Sequence, residues 1–238
     1  MLLKSMEDSR DIFDRTIKLI GEKNFDELAE KTVAVFGLGG VGGYVVEALA
    51  RSGVGKLVIC DKDIVEKTDI NRQIYALHGT LELPKTVVAA ERIADINPET
   101  SVESFYLNVN MESIGNFEFA GWDYIVDAID DVPAKLLIIK AAAEHSIPAI
   151  SCMGTGNKLD PTKLSINKIQ KTHTCPLARK MRHELAKLGI SDVDVLFSSE
   201  SPLAKSSGSP ASMIFVPAAA GLVIASFVVR NLIGGLDA

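Results

Sequence analysis

Apolar positions along the chain follow two rhythms. Short apolar runs of strand length recur at 33–36, 56–60, 101–107, 122–127 and 147–151. Between them, at 41–52, 84–96 and 132–145, apolar residues recur near the helical period. Strand and helix taking turns predict an α/β fold, a doubly wound, mostly parallel sheet. Ahead of the first strand, Ile12, Phe13, Ile17, Leu19, Ile20, Phe25 and Leu28 keep helical spacing around Gly21, which predicts an N-terminal helical arm.

The rhythm changes after Pro161. "KLSINKIQ" alternates as a half-exposed strand does, "PLARKMRHELAKLG" reads as a basic amphipathic helix stopped by Gly189, and "DVDVLFSSE" supplies one more strand. "SPLAKSSGSPAS" predicts a mobile loop, a candidate lid. Residues 213–229 are uncharged and approach the roughly 20 residues that span a bilayer, but Pro217 and Gly221 interrupt them, so the expectation is a buried helix closing the sheet and no stable membrane insertion. The organisation expected is one domain over 1–238: a helical arm (1–30), a nucleotide-binding core (31–160), and a mixed substrate-side extension ending in that helix (161–238).

The opening "MLLKSMEDSRDIFDR" lacks an apolar stretch of signal-peptide length, which points to a cytoplasmic protein. Cys60, Cys152 and Cys175 form no C-x-x-C pair, which argues against a zinc knuckle or a disulfide framework. The net charge of -6 argues against nucleic-acid binding by the surface as a whole. Within 158–187, however, eight Lys and Arg face only Asp160 and Glu184, so this segment carries +6 and the remainder -12. Either a solvated helix face or a polyanion contact accounts for it.

Chemistry enters at "VAVFGLGGVGGYV". Gly37, Gly39 and Gly42, with Gly40 between them, form G-x-G-x-x-G where a strand gives way to a helix; glycines there permit a tight turn and close approach of backbone N–H groups to phosphate. The motif fits NAD, FAD or ATP. Asp61, about 20 residues on, is placed to bond ribose hydroxyls, with Asp63 beside it. Asn71, Arg72, Gln73 and Lys85 follow, and two cations suit a triphosphate about to be cut better than a dinucleotide. The strand "WDYIVDAIDDVPAK" ends in Asp127, Asp130 and Asp131; Asp130 is placed to hold Mg²⁺ on phosphates and Asp131 to cap the next helix.

These motifs, "DRTIKLIG", "GLGGVGG", "DKD", "NRQI", "LPK" and "DAIDD", resemble those of the ubiquitin-activating-enzyme-like adenylyltransferases over nearly the whole chain. The resemblance implies ATP and Mg²⁺ as cofactors, bound by Gly39, Asp61, Asn71, Arg72, Lys85 and Asp130, and a homodimer in which Arg15 reaches the partner's site. The second half, through "GTGNKLDPTKL", "KTHTCPLARKMR" and "VLFSSE", is similar to the branch that cyclises threonylcarbamoyladenosine beside the anticodon of tRNA. That branch implies tRNA as substrate, which would account for the basic segment, and leaves room for a sulfur-trafficking protein as a partner. The alternatives are an adenylyltransferase acting on the C-terminus of a ubiquitin-like carrier, an NAD-dependent oxidoreductase, and a noncatalytic nucleotide-binding scaffold. Cys175, His173 and His183 have no base or partner at fixed spacing that would mark them as catalytic.

Overall fold

The computed structural model describes residues 9–203 and 210–235; part of the expected mobile loop, 204–209, lies outside the described residues. Seven strands form one sheet in the order β3-β2-β1-β4-β5-β7-β6: β1 (Thr32–Phe36), β2 (Lys56–Asp61), β3 (Ser101–Tyr106), β4 (Tyr124–Asp127), β5 (Ala149–Cys152), β6 (Leu164–Lys168) and β7 (Asp194–Ser198). All neighbours are parallel except β6, which runs antiparallel to β7 at the edge. The mixed pairing falls in the extension, where the alternating "KLSINKIQ" predicted a half-exposed strand.

Side chains alternate across the sheet. Val33 and Val35 of β1 face one layer, made by α3 (Gly42–Ser52), α4 (Lys85–Ile96) and α7 (Phe215–Leu232). Ala34 and Phe36 face the other, where α5 (Val132–Glu144) packs beside Phe117, Phe119 and Trp122. Beyond β5, α6 (Pro176–Lys187) lays Ala178, Met181 and Leu185 against Val195 and Phe197 of β7. The N-terminal arm is helical but broken: Gly21, at φ +84°, separates α1 (Asp14–Ile20) from α2 (Glu22–Ala29).

The apolar 213–229 segment becomes α7, a helix that by length and composition alone could cross a membrane. It seats Val216, Ala220, Ile224 and Val228 in the core. A Cβ on Gly221 would stand 2.5 Å from the Val41 carbonyl oxygen, so glycine is what lets α7 lie this close to α3. The burial is one-sided: Leu222 and Val223 remain 52% and 39% exposed.

The basic segment is not one surface. Lys158 is buried, with Nζ donating to the Ser198 carbonyl at 3.3 Å, and burial pushes its pKa down. Lys168 is tied to Asp192 and Asp194 at 2.7 and 3.1 Å. Arg182 is turned inward onto Thr172. Cations counted along a sequence cannot reveal which of them the chain folds over.

Glu47 of α3 ties two helices together, accepting from Arg92 of α4 at 2.8 and 2.9 Å and from Arg51 of its own helix. Burial raises its pKa, but the two guanidinium groups outweigh burial and hold it below the ordinary carboxylate value. A depressed folded-state pKa contributes stability that is complete above the unfolded value and lost as pH falls through the folded one. Glu47→Gln is therefore expected to cost about 1–3 kcal/mol at pH 7 and to flatten the fall in melting temperature below about pH 4.5. Thermal unfolding as a function of pH checks both.

Candidate active site

The sheet's topological switch lies between β1 and β4, whose C-terminal ends diverge into helices on opposite faces. Ligands of such sheets bind there, and the structure has a cleft of about 370 Å³ at this point, large enough for a small-molecule ligand. Gly37 turns the chain out of β1 at φ +88°, its N–H bonded to the Cys60 carbonyl at 2.8 Å. A Cβ here would stand 2.8 Å from the Ala128 carbonyl oxygen, and one on Gly42 would overlap the Gly37 carbonyl. Gly39 and Gly40 line the cleft, and a Cβ on Gly39 would meet Gln73 Nε2 at 3.9 Å, an ordinary contact.

Asp61, at the end of β2, is buried under this loop. One carboxylate oxygen accepts the Leu38 N–H, the other the Asp63 N–H at 2.8 Å. Burial raises its pKa, opposed by those two donors and by Lys85. Each oxygen can still accept another bond, so a ribose hydroxyl is within its chemistry.

The cationic wall is organised by Asp69. Its Oδ1 accepts from Gln73 Nε2 at 2.6 Å and lies 3.3 Å from Arg72 Nη2; its Oδ2 lies 3.6 Å from Lys85 Nζ. Lys85, the buried first residue of α4, is also 3.6 Å from Asp63. Arg72 Nη1 donates to the Thr68 carbonyl at 2.8 Å, which fixes the guanidinium plane. Asp63, Arg72, Gln73 and Lys85 all line the cleft.

On the opposite wall Asp131 caps α5, accepting the Ala134 N–H at 3.0 Å. Asp130 is exposed on the cleft and has no hydrogen-bond or ion-pair partner among the described residues. Its loop rests on a buried ion pair. Lys135, fully buried, lies 2.9 Å from Asp127 and donates to the carbonyls of Cys152 and Ile129 at 2.8 and 3.0 Å. Ser151 Oγ and the Ile129 N–H complete the Asp127 carboxylate.

A family model described as the ThiF family matches residues 13–235. The chain belongs to the ThiF family. Similar to it is a protein of Bacillus subtilis called tRNA threonylcarbamoyladenosine dehydratase, 40% identical over 243 positions that cover 94% of this chain and 96% of that one. Two Escherichia coli structures of tRNA N6-threonylcarbamoyladenosine dehydratase also align. The complex with AMP has a TM-score of 0.90 at 33% identity and 97% of both chains covered; the complex with ATP has 0.89 at 33% and 96%.

Within this ThiF chain, the candidate residues Gly37, Gly39, Gly40, Asp61, Asp63, Arg72, Gln73, Lys85 and Asp130 line one cleft. Three other predicted residues lie off its surface. Gly42 is buried behind the loop as a packing glycine. Asn71 is drawn outward, donating to the Ser212 carbonyl at 2.9 Å while its Oδ1 accepts from Arg72. Arg15 is exposed on α1, away from the lining. Sequence reasoning missed Asp69 and Lys135. The signal for Asp69 was its position three residues before Arg72, where a carboxylate meets a guanidinium. Lys135 had none, because Asp127 and Cys152 come to it only through the sheet.

Removing the Lys135 charge leaves Asp127 buried and uncompensated, so Lys135→Met is expected to destabilise the protein by about 3–5 kcal/mol. The double variant Asp127→Asn/Lys135→Met should regain part of that loss. Urea unfolding of the two variants measures the difference.

Proposed function

We propose that this chain is an ATP-dependent dehydratase that closes the threonylcarbamoyl group of threonylcarbamoyladenosine, beside the anticodon of tRNA, into a ring. The observation that carries the reading is the cleft at the switch point, where a glycine loop faces Arg72 and Lys85 on one side and the unpartnered Asp130 on the other. The AMP and ATP complexes of the E. coli relative support ATP as the nucleotide. A tRNA substrate goes with a cytoplasmic protein.

In this mechanism the threonyl carboxylate attacks the α-phosphorus of ATP, the bond to the β-phosphate breaks, and pyrophosphate leaves an acyl-adenylate behind. An atom of the neighbouring carbamoyl group then attacks the acyl carbon, its proton passes to solvent, and AMP departs carrying the former carboxylate oxygen. The net change in the nucleoside is loss of water. Arg72 and Lys85 stabilise charge on the phosphates; backbone N–H groups of the loop orient them. Activated carboxyl and attacking group belong to one molecule, so holding the acyl-adenylate in a ring-closing conformation replaces an external nucleophile.

Six carboxylates and three cations line the cleft, so a bound triphosphate calls for a further positive charge. Mg²⁺ fits: Asp130 would hold it together with phosphate oxygens, and when bound it neutralises phosphate charge. Arg72→Ala and Asp130→Ala should each lower ATP-dependent ring closure by about 100-fold or more, with unchanged circular dichroism. Mass analysis of the tRNA nucleosides reads the loss of water, and undiminished turnover in either variant overturns the assignment.

On this reading Arg15 serves the site of a second copy. Ile12 and Leu19, 58% and 80% exposed, lie three and four residues from it on the same arm and supply apolar surface for the contact. Arg15→Ala and Arg72→Ala dimers, each inactive alone, should on subunit exchange recover about a quarter of the wild-type activity, because one site of each mixed dimer is intact. If mixing restores nothing, Arg15 does not act across a dimer.

A further inference from the structure

We infer that the outer face of α6, from Arg179 to Lys187, is the surface on which the tRNA backbone docks next to the cleft. This rests on the tRNA reading above and adds the place of contact. With Lys158 buried, Lys168 held by two carboxylates and Arg182 turned inward, three of the five remaining cations of 158–187, Arg179, Lys180 and Lys187, lie on one helix. Ala178, Met181 and Leu185 of α6 are buried, which turns Arg179, Lys180, His183 and Lys187 to solvent as a single stripe, with Lys171 exposed just before the helix.

What sets these cations apart is that several share one helix face: Arg15, Lys62, Lys67, Lys163 and Arg230 are likewise exposed and form no ion pair among the described residues, but they lie on separate elements, and other surface lysines are paired. Lys18, Lys23, Lys56 and Lys140, all exposed or half-exposed, each have a carboxylate 2.6–3.8 Å away. Lys171, Arg179 and Lys180 form no ion pair among the described residues. The one acid of the stripe, Glu184, is committed to Lys187 at 2.9 and 3.0 Å. A protein of net charge -6 gains nothing from long-range attraction to RNA, so any phosphate contact has to be made by a local group of unpaired cations.

The stripe also begins at the right place. Thr155 lines the cleft. Its neighbour Gly154 sits against the start of α6: a Cβ there would lie 3.6 Å from Cys175 Sγ and 3.9 Å from the Leu177 Cβ. Arg179 and Lys180 follow within about one helical turn, and Lys187 lies about 12 Å further along the axis. A nucleotide reaching into the cleft thus has its flanking phosphates directed along α6. The positive end of the helix dipole, at Pro176, adds to the attraction on the cleft side.

The test compares wild type with Arg179→Ala/Lys180→Ala, two exposed positions whose truncation leaves the core untouched. With tRNA bearing threonylcarbamoyladenosine, the variant's KM for tRNA should rise about tenfold, and the slope of log Kd against log salt should fall by about 1.5. ATP binding measured without tRNA should not change. Lys56→Ala/Lys140→Ala, which removes as much charge elsewhere, should keep the wild-type KM for tRNA. Equal KM and slope in the α6 variant and wild type overturn the surface while leaving the dehydratase reading intact; so does an equal loss in the Lys56/Lys140 control. A wild type that binds ATP but neither binds nor modifies tRNA overturns the functional reading, and this surface with it.

Discussion

The active cleft depends on a backbone approach that only glycine allows. Gly37 leaves β1 at φ +88° and passes so near the Ala128 carbonyl that a side chain would be in contact with it, while the start of α3 at Gly42 folds back onto the Gly37 carbonyl. This contact brings the first turn of α3, the end of β4 and the floor of the cleft into one rigid corner. Buried Asp61 stiffens it from below by accepting the Leu38 N–H, and α7 closes it from behind with Gly221 against Val41. A loop held this firmly presents its N–H groups in a fixed direction, and preorganisation of that kind distinguishes a phosphate site from a flexible polar turn.

The charged groups around the corner are arranged on a second principle. Arg72 and Lys85, two of the three cations lining the cleft, are backed by Asp69 and Asp63 at distances of 3.3–3.6 Å, longer than the 2.9 Å between Lys135 and Asp127. By contrast, Lys135 and Asp127 are spent entirely on each other, on the Ser151 hydroxyl and on backbone groups. Asp130, one turn of chain away from that pair, is left free. The protein thus separates charges that hold the loops from charges that line the cleft. A dinucleotide oxidoreductase would have little use for two cations and a free carboxylate at this place, because a pyrophosphate is largely satisfied by backbone N–H groups and the helix dipole.

What the sequence made legible was what is local. Strand and helix positions followed from periodicity, since the inner strands β1, β2, β4, β5 and β7 bury both faces and the helices packed on them bury a stripe, and the antiparallel edge showed as the alternating run at 164–168. The glycine loop, Asp61, Arg72, Lys85 and Asp130 were legible because their chemistry is tied to short spacings and strand ends. Contacts made through the sheet were not. Lys135 reaches Cys152 seventeen residues away, and Lys158 reaches Ser198 forty away, so one read as an ordinary helix lysine and the other as part of a basic surface. Asn71 carried the right chemistry for a nucleotide ligand, yet its amide is taken by Ser212, in a segment 141 residues on.

The cysteines bear on which chemistry the cleft serves. Covalent relay of an activated acyl group needs an accessible thiolate. Cys60 and Cys152 are buried, and burial pushes both thiols up to about 12, so neither ionises near neutral pH. Cys175 is enclosed as the N-cap of α6, 4% exposed, beneath Gly154. An acyl-adenylate formed in this cleft therefore meets no thiolate from Cys60 or Cys152, and an enclosed Cys175 is a poor acceptor for a macromolecular acyl group. The nucleophile has to arrive with the substrate, as it does when a carbamoyl group stands next to the carboxylate being activated. A carrier-protein C-terminus brings no such group. The same burial that makes these thiols part of the core thus favours a reaction that ends within one molecule over one that hands its product on.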